Sequence, residues 1–537
     1  MRIRHYLLAL VVIGLITYIP SWNNQFVWDD EQFIYKNAHV LSFDVAAIFR
    51  SSTTSGAGIE SNYFRPLTSL SFAIDHAVWG LNPFGFALVN TALHLGAGLF
   101  LFLLLWELMR GRPILGPPRR LAFILSLFFI VNPLQTEAVT YINSRGDSFY
   151  AFLGMLGLLS FSLSFRQKPI KLTLQGLKIE LGRGSWLMAS LVLYAATILA
   201  KEIGLATLGL YWLVALLKLF QAEGSWRERW RVLQPQFEAL GALVFIAICY
   251  LFLRGTVWNF ANSFNFYDDN NLYANNLWVR LLTFSKIFLV YLRLLFVPFP
   301  LHMERSVELV TSVFNPYTPI FIATQLGILG SAWLEWRRHQ SVWLLFGWGW
   351  FISMLLPVSG IIPINGLLYE HWLYLPQIGF WLSLAVLISL YLPSKLHTAL
   401  SKIGVAALGL MVVVWLLLSW RQHYLWQNSI RFYSYTLEHA QSARLYNNLG
   451  MALADEGRYQ EAIVTYQQAL ELSPFYPQIH HNLGNIYQEL SQPEVAIGHY
   501  ERALEIQPDF FYSVGPLYQL YLDTDNASEA ASLRGRY

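Results

Sequence analysis

The residues best suited to chemistry stand just after the first apolar run of the chain. The stretch from Phe26 to Glu31 reads F-V-W-D-D-E and places three consecutive carboxylates in an otherwise apolar context. Neighbouring carboxylates repel one another, which favours the protonated form of one of them. Such a group can take a proton from a hydroxyl nucleophile or stabilise a developing positive charge. A solvated loop that holds the helix end in water is the alternative. Asp29 and Asp30 are the first candidate catalytic residues.

A second acidic segment follows a later apolar run. The sequence N-P-L-Q-T-E-A-V runs from Asn132 to Val139, and R-G-D follows at 145–147. A lone carboxylate among apolar residues has to bind a proton or a cationic partner. Arg145 carries a planar guanidinium, which matches phosphate oxygens in pairs. Glu137 is therefore a third candidate catalytic residue, and Arg145 is a candidate phosphate ligand.

Polar residues in or beside other apolar runs extend this set. Arg65 stands in F-R-P-L-T, His94 follows Asn90 by four residues inside an apolar run, K-E separates two apolar runs, and E-H precedes another. Polar groups are costly in a bilayer and usually face a cavity or a partner. The candidate ligands of a donor phosphate or substrate are Arg65, Arg145, His94, Lys201, Glu202, Glu370 and His371.

These residues also have structural interpretations. Arg65 can be a snorkelling side chain at the interface, and His94 can make a hydrogen bond between helices. The K-E pair can satisfy itself in a polar turn, and the E-H pair can be an ordinary interfacial turn. The sequence leaves both interpretations open.

Motifs for several other kinds of site are missing from the sequence. It has no zinc-ligand spacing, nucleophile elbow, P-loop or dinucleotide fingerprint. It has no basic patch of the kind that binds nucleic acid. The single cysteine, Cys249, excludes a disulfide within the chain. Carboxylate number does not choose between an ion and a proton, so a divalent cation is left open and no metal ligand is assigned.

Composition places all these residues in a membrane protein. Of 537 residues, 55% are hydrophobic and 13% charged, and the mean hydropathy is +0.41. A soluble globule needs more polar surface than this. A helix needs about 20 apolar residues to cross the hydrocarbon. Twelve apolar runs occur, near 6–20, 86–108, 121–132, 147–165, 186–200, 203–220, 236–253, 279–297, 317–334, 341–357, 373–391 and 404–420.

Positive charges assign the two sides of the membrane. The positive-inside rule places Lys and Arg clusters in the cytoplasm; they lie at 2–4, 110–120, 166–171, 227–231, 337–338 and 395–402. They share one side only if one run does not cross. The best candidate is 279–297, where Arg280, Lys286 and Arg293 mark one polar face. About eleven crossings then put the N-terminus in the cytoplasm and the candidate loops and C-terminal tail outside.

The C-terminal region contains an internal repeat. N-N-L-G at Asn447 recurs as H-N-L-G at His481, a period of 34 residues. This is the tetratricopeptide (TPR) period, and Ala, Tyr, Ala and Pro recur at the same offset. Such an array is either a concave surface that binds a protein or a stabilising spacer.

The predicted fold is all-α, a polytopic membrane domain followed by a short TPR solenoid. The predicted segments are the membrane domain at 1–425, a linker helix at 426–442, repeats at 443–476 and 477–510, and a degenerate capping unit at 511–537.

Taken in order, the motifs resemble those of the transmembrane and TPR-containing protein O-mannosyltransferases, membrane glycosyltransferases of the GT-C class. The matching pieces are W-D-D-E, F-R-P-L-T, N-x-x-x-H, N-P-x-x-T-E-A-V with R-G-D, K-E-x-G, and E-x-x-x-Y-x-P from Glu370 to Pro376. Two departures are that eukaryotic members usually show Glu-Arg where this chain has Glu370-His371, and that their repeat arrays are longer.

The resemblance implies the transfer of a sugar, expected to be mannose, from a polyprenyl-phosphate donor to Ser or Thr hydroxyls of proteins, with inversion at the sugar carbon. Asp29 or Asp30 is then the acid/base, Glu137 a second acid of the site, and Arg65 and Arg145 phosphate contacts. The TPR groove is expected to bind the acceptor or another protein, and a bacterial inner membrane with the active loops on the periplasmic face is the expected location.

Two other functions compete with this interpretation. An O-antigen-ligase-like or polymerase-like enzyme would rely on Arg and His in a large late loop; His371 favours it and the early acidic cluster does not. A non-catalytic TPR scaffold anchored in the membrane would need only one or two crossings, whereas about eleven are predicted.

Overall fold

The computed structural model describes residues 2–110, 117–174, 177–261, 271–364, 366–392 and 394–537, and it describes side chains within these ranges outside 172–179 and 394–402. The chain forms two compact units, Met1–Trp426 and Gln427–Tyr537.

The first unit is built from helices that coincide with the apolar runs. Proline occupies the first turn of several of them, where its missing N–H has no helical partner to lose. The helical fold class is thus confirmed. The twelve helices are Ile3–Tyr18, Pro83–Met109, Pro118–Val131, Arg145–Leu163, Arg183–Ala200, Thr207–Gln221, Trp226–Thr256, Leu277–Phe296, Tyr317–His339, Trp343–Leu355, Pro376–Tyr391 and Ser394–Trp426.

Short elements between these helices carry four of the candidate residues, Glu137, Glu202, Glu370 and His371. The α-helical ones are Ala38–Leu41, Val45–Ile48, Pro66–Trp79, Thr136–Thr140 and Leu272–Asn275. Single turns of 3₁₀-helix lie at Ile19–Asn23, Ser55–Ala57, Pro133–Gln135, Ile142–Ser144, Glu202–Ala206, Leu356–Val358 and Glu370–Leu373, and a π-helical turn lies at Glu31–Tyr35.

One β-hairpin interrupts the helical pattern, and the sequence did not predict it. Strands Ile170–Leu174 and Leu177–Leu181 pair antiparallel, with Ile170 opposite Leu181. The two segments read I-K-L-T-L and L-K-I-E-L, an alternation of apolar and polar residues that is typical of a strand.

Seven helical stretches in the described part of the chain are long and apolar enough to cross a membrane, or eight if the bent pair Pro118–Val131 and Pro133–Thr140 is one span. The chain is an integral membrane protein. Leu277–Phe296, predicted not to cross, is outside this set, and so is Tyr317–His339, predicted to cross. The number of eleven crossings therefore stays a prediction.

The second unit consists of helix pairs. Its α-helices are Ser429–Leu437, Ala443–Asp455, Tyr459–Leu472, Pro477–Glu489, Pro493–Ile506, Val514–Asp523 and Ala527–Arg536, with a 3₁₀ turn at Phe511–Ser513. A Cβ atom added at Gly450 would lie 2.6 Å from Cε1 of Tyr466. A Cβ atom added at Gly484 would lie at the same distance from Cε1 of Tyr500. Glycine at these two positions allows the paired helices to approach closely.

Candidate functional site

Asp30 is a structural anchor of the loop that follows the first helix. It has no exposed surface, and its carboxylate oxygens accept hydrogen bonds from the backbone N–H groups of Val27 and Asn143, both at 2.8 Å. Burial raises the pKa of Asp30 well above its ordinary value, although both N–H groups and Arg145 oppose that shift. The side chain thereby fastens this loop to the segment that precedes Arg145.

Asp29 differs from Asp30 in being only half-buried. Its backbone N–H donates a hydrogen bond to the hydroxyl of Tyr141 at 3.0 Å. The preceding residue, Trp28, has a φ of 56°, a left-handed conformation that is uncommon for a bulky residue and often marks a functional site. Of the two adjacent aspartates, Asp29 is therefore the one with surface that a substrate can reach.

Glu137 holds His371 through two contacts. Oε2 of Glu137 accepts the backbone N–H of His371 at 3.0 Å, and Oε1 lies 2.7 Å from Nδ1 of its ring. The Glu137 side chain is 5% exposed and that of His371 is 15% exposed. The short helix Thr136–Thr140 and the turn Glu370–Leu373 are joined by this pair.

Glu370 faces a different cation from its neighbour. Its Oε1 accepts hydrogen bonds from the backbone N–H of His302 at 3.0 Å and from Nε of Arg305 at 3.0 Å, and Nη2 of Arg305 forms an ion pair with it. Burial raises the pKa of Glu370 to about 7, against the attraction of Arg305 and with the repulsion of Glu137. Desolvation of this carboxyl outweighs its ion pair.

Lys201 and Glu202 do not pair with each other. Nζ of Lys201 donates to both carboxylate oxygens of Asp147, at 2.8 and 2.7 Å. Glu202 accepts from Nε of Arg65 at 2.9 Å and forms an ion pair with its Nη2. The side chains of Lys201 and Arg65 keep 12% and 15% of their surface exposed. Two segments that are distant in the sequence are thus tied to the turn at 201–202.

Arg145 lies entirely inside the protein. Its guanidinium forms an ion pair with Asp75, donates to Oδ1 of Asn90 at 2.7 Å and to the carbonyl of Phe86 at 2.9 Å, and has no exposed surface. The ring of Phe72 lies 4.4 Å from the guanidinium carbon. In this arrangement Arg145 offers no surface to a lipid phosphate, so the predicted phosphate contact gains no support.

His94 makes hydrogen bonds between helices. Nε2 lies 3.1 Å from the carbonyl of Ile130, and Nδ1 lies 2.6 Å from the hydroxyl of Tyr374. A carbonyl can only accept, so Nε2 donates and Nδ1 accepts from the tyrosine. The ring has no exposed surface. This geometry is the packing role that the sequence left as an alternative to substrate binding.

The last long helix of the first unit contacts the segments next to the candidate residues. Nδ1 of His423 lies 2.9 Å from Oγ1 of Thr140, and the ring of Trp426 stacks on Tyr141 with centroids 5.3 Å apart. Nε2 of Gln422 donates to the carbonyl of Leu301 at 3.1 Å. The tyrosine that binds the Asp29 backbone is therefore itself supported by residues almost 300 positions later.

Sequence reasoning missed three partners of the candidate residues. Asp75 is a lone acid in an apolar stretch, the same signal that singled out Glu137, and it could have been found. Asp147 belongs to the R-G-D motif but was given no role. Arg305 stands in a segment without a motif, and only the fold brings it to Glu370.

The described ranges contain no cluster of side chains suited to bind a metal ion. No three His, Cys, Asp or Glu side chains lie together there in an arrangement that could hold a metal ion. Glu137, Asp147, Glu202 and Glu370 each bind a basic side chain instead.

Comparisons with known proteins bear on both units. The tetratricopeptide repeat family model matches residues 441–509. A protein O-mannosyl-transferase of Caenorhabditis elegans is 25% identical over 484 residues, which cover 88% of this chain and 63% of that protein. The Homo sapiens protein O-mannosyl-transferase TMTC4 is 25% identical over 506 residues, covering 85% of this chain and 65% of that protein.

Among solved structures, ArnT from Cupriavidus metallidurans bound to undecaprenyl phosphate matches with a TM-score of 0.41 and 16% identity, over 93% of this chain and 80% of that one. The chain spans a little under two thirds of the two curated relatives. The resemblance seen in the motifs is confirmed: over most of its length the chain is a homologue of the transmembrane and TPR-containing protein O-mannosyl-transferases.

Proposed function

We propose that the chain transfers a sugar, mannose, from a polyprenyl-phosphate donor to Ser or Thr hydroxyls of proteins, with inversion at the sugar carbon. The names of its homologues support the sugar and the acceptor class. Its apolar helices support a donor that stays in the bilayer.

The observation that carries this proposal is the different placement of Asp29 and Asp30. Asp30 is fully buried and bonded to two backbone N–H groups, so it fixes the loop. Asp29 lies in the same loop but is only half-buried, and it follows Trp28, whose backbone has a left-handed conformation. We assign the base to Asp29 and a positioning role to Asp30.

In the proposed reaction the Asp29 carboxylate takes the proton of the acceptor hydroxyl. The hydroxyl oxygen then attacks the anomeric carbon of the sugar from the face opposite the phosphate. The bond from that carbon to the phosphate oxygen breaks, and its electron pair stays on the phosphate. The donor phosphodiester thereby becomes a monoester with one more negative charge, which nearby cations stabilise.

Of the basic residues that the sequence singled out, three keep exposed surface for this phosphate: Lys201, Arg65 and His371, at 12%, 15% and 15%. Each is held by a carboxylate, from Asp147, Glu202 and Glu137 respectively. Paired cations of this kind are oriented before the substrate arrives. Glu137 is then a positioning residue that acts through His371, and Arg145 and His94 support the fold.

The remaining parts of the proposal concern location and partners. The positive clusters support a cytoplasmic N-terminus with the acidic loops on the outer, periplasmic face of an inner membrane. The second unit presents the helix pairs of a TPR array, which commonly bind proteins. We propose that it recruits the acceptor or a partner of the enzyme.

The test is mannose transfer by the full-length chain in liposomes, with radiolabelled polyprenyl-phosphate mannose and membrane proteins of the host as acceptors. Asp29→Asn keeps the side-chain volume and removes the base, so we expect transfer to fall by about 100-fold or more. Asp44→Asn is the matched control, because Asp44 is exposed and asparagine can cap its helix equally well. Full activity of Asp29→Asn, or no mannose transfer by the wild type, contradicts the proposal.

A further inference from the structure

Glu137 fixes the proton of His371 on one nitrogen of the ring. Oε1 of Glu137 lies 2.7 Å from Nδ1, and Oε2 accepts the backbone N–H of the same residue at 3.0 Å. A carboxylate only accepts hydrogen bonds, so Nδ1 is the nitrogen that donates to it. The other nitrogen, Nε2, is left to face a substrate, as in other carboxylate–imidazole pairs.

The plane of the imidazole is held as well as its proton. The ring of Tyr369 stacks on it with centroids 5.4 Å apart and 26° between the planes, and Trp372 meets it edge-on at 6.1 Å. Within the described residues, the structure gives Nε2 of His371 no hydrogen-bond partner. With 15% of the side chain exposed, this nitrogen is oriented and still accessible.

The charged and polar groups around His371 and its neighbours Tyr369 and Glu370 come from three elements. Glu137 reaches it from the helix Thr136–Thr140. Arg305 and the backbone N–H of His302 donate hydrogen bonds to the adjacent Glu370 from the segment that links the helices Leu277–Phe296 and Tyr317–His339. The hydroxyl of Tyr291, from the helix Leu277–Phe296, lies 3.4 Å from the carbonyl of Tyr369.

Glu370 and Arg305 satisfy each other, so the carboxylate in direct contact with the imidazole is Glu137. Protonation of His371 creates an ion pair with Glu137, and an imidazolium in that setting can hold a proton for a substrate.

We propose that His371, held by Glu137, donates the proton on Nε2 to an oxygen of the departing phosphate. This inference rests on the proposed transferase function and adds a general acid to it. As the bond between the anomeric carbon and the phosphate oxygen breaks, the Nε2–H bond breaks and an O–H bond forms on the phosphate. The lipid phosphate leaves as a monoanion and His371 is left neutral. Asp29 returns the acceptor's proton to water, and His371 takes one from water.

This assignment makes the reaction depend on pH in a way that an arginine in the same place does not. Imidazole loses its charge and its transferable proton as the pH rises, whereas a guanidinium stays charged. Transfer by the wild type should therefore decline on the alkaline side. His371→Arg should bind the phosphate, transfer more slowly, and lack that decline.

The experiment measures kcat and the KM for polyprenyl-phosphate mannose between pH 5.5 and 9 for the full-length chain in liposomes. We expect His371→Gln to lower kcat by about 100-fold at the acidic end of this range, in line with the usual contribution of a general acid, and by less as the wild type declines. Glu137→Gln removes the carboxylate that orients the ring, so kcat should fall while the KM for the donor changes little. His76→Gln, on the helix Pro66–Trp79, is the control and should reproduce the wild-type profile.

A wild-type decline that persists unchanged in His371→Arg overturns the inference while leaving the transferase intact. If the wild type does not transfer mannose at all, the proposed function fails, and thermal stabilisation by undecaprenyl phosphate becomes the deciding measurement. Stabilisation that weakens with rising pH in the wild type but not in His371→Arg supports the phosphate contact. Equal behaviour of the two chains refutes it.

Discussion

Arg145 and Asp75 form an ion pair that lies wholly inside the protein, between the helix Pro66–Trp79 and the start of Arg145–Leu163. Burial raises the pKa of Asp75, and the guanidinium opposes that shift. Such a pair is costly to break on one side, because the remaining charge is left without a partner.

Removing the arginine alone should destabilise the membrane unit strongly. Arg145→Met leaves Asp75 uncompensated, and the expected loss is about 3–5 kcal/mol in the free energy of unfolding. The double variant Asp75→Leu with Arg145→Met should recover a large part of it. Unfolding by denaturant in detergent micelles measures both. A single variant as stable as the wild type would show that the pair is not a structural anchor, and would revive Arg145 as a phosphate ligand.

Asp30 should matter for stability more than for the chemical step. Asp30→Ala leaves the backbone N–H groups of Val27 and Asn143 without their acceptor. A buried donor left unsatisfied costs about 1–3 kcal/mol. We expect a lower melting temperature by scanning fluorimetry, whereas Glu308→Ala, which removes a side chain that is 96% exposed, should leave it unchanged. Equal melting temperatures for Asp30→Ala and the wild type would contradict the anchoring role.

Glu370 should make stability fall as the pH rises. Its pKa is about 7 in the folded protein, above the ordinary value of a glutamate, so the folded state keeps a proton that the unfolded chain has already lost. Stability should therefore decline from about pH 4.5 to 7, by about 3 kcal/mol in total, and level off above that. The difference in melting temperature between wild type and Glu370→Gln across this range isolates the effect.

The matched comparison for this titration is Glu308→Gln, which removes an exposed carboxylate and should keep the wild-type slope. A Glu370→Gln variant whose stability still follows the wild-type pH dependence would mean that the ion pair with Arg305 keeps Glu370 charged in the folded protein.

The TPR unit should be sensitive to single methyl groups at its repeating glycines. A Cβ atom at Gly484 would meet the ring of Tyr500 at 2.6 Å, so Gly484→Ala forces a rearrangement that costs about 1–3 kcal/mol. Hydrogen exchange of the full chain should show faster exchange in Pro477–Glu489 and Pro493–Ile506. Gly498→Ala is the control, because a Cβ atom there meets no neighbouring atom within 4 Å. Identical exchange in both variants would refute the close packing.

The sequence predicted the elements well and their pairings poorly. Apolar runs and the repeat period are local signals, so every run appears as a helix and the repeats appear as helix pairs. The β-hairpin was missed because its five-residue strands lie in a short polar connection, where no long apolar run draws attention to them.

The candidate site was predicted as a set of residue types without their partners. Asp29 and Asp30 are indistinguishable in the sequence, and only the direction of the chain after Trp28 decides which of them is buried. A pair of Lys201 with Glu202 was one of the interpretations that the sequence left open, but Lys201 binds Asp147, 54 positions away. Such pairings depend on how helices pack, and a single sequence does not record that.

The stacking of Trp426 on Tyr141 can form only late in the synthesis of the first unit. Helices leave the ribosome in order, so a chain that has emerged as far as residue 392 already contains Asp29, Glu137 and His371. The tyrosine that receives the Asp29 backbone gains its support only when the helix Ser394–Trp426 arrives. The contact that supports Tyr141 therefore forms only after all the helices that precede Ser394–Trp426 have been synthesised.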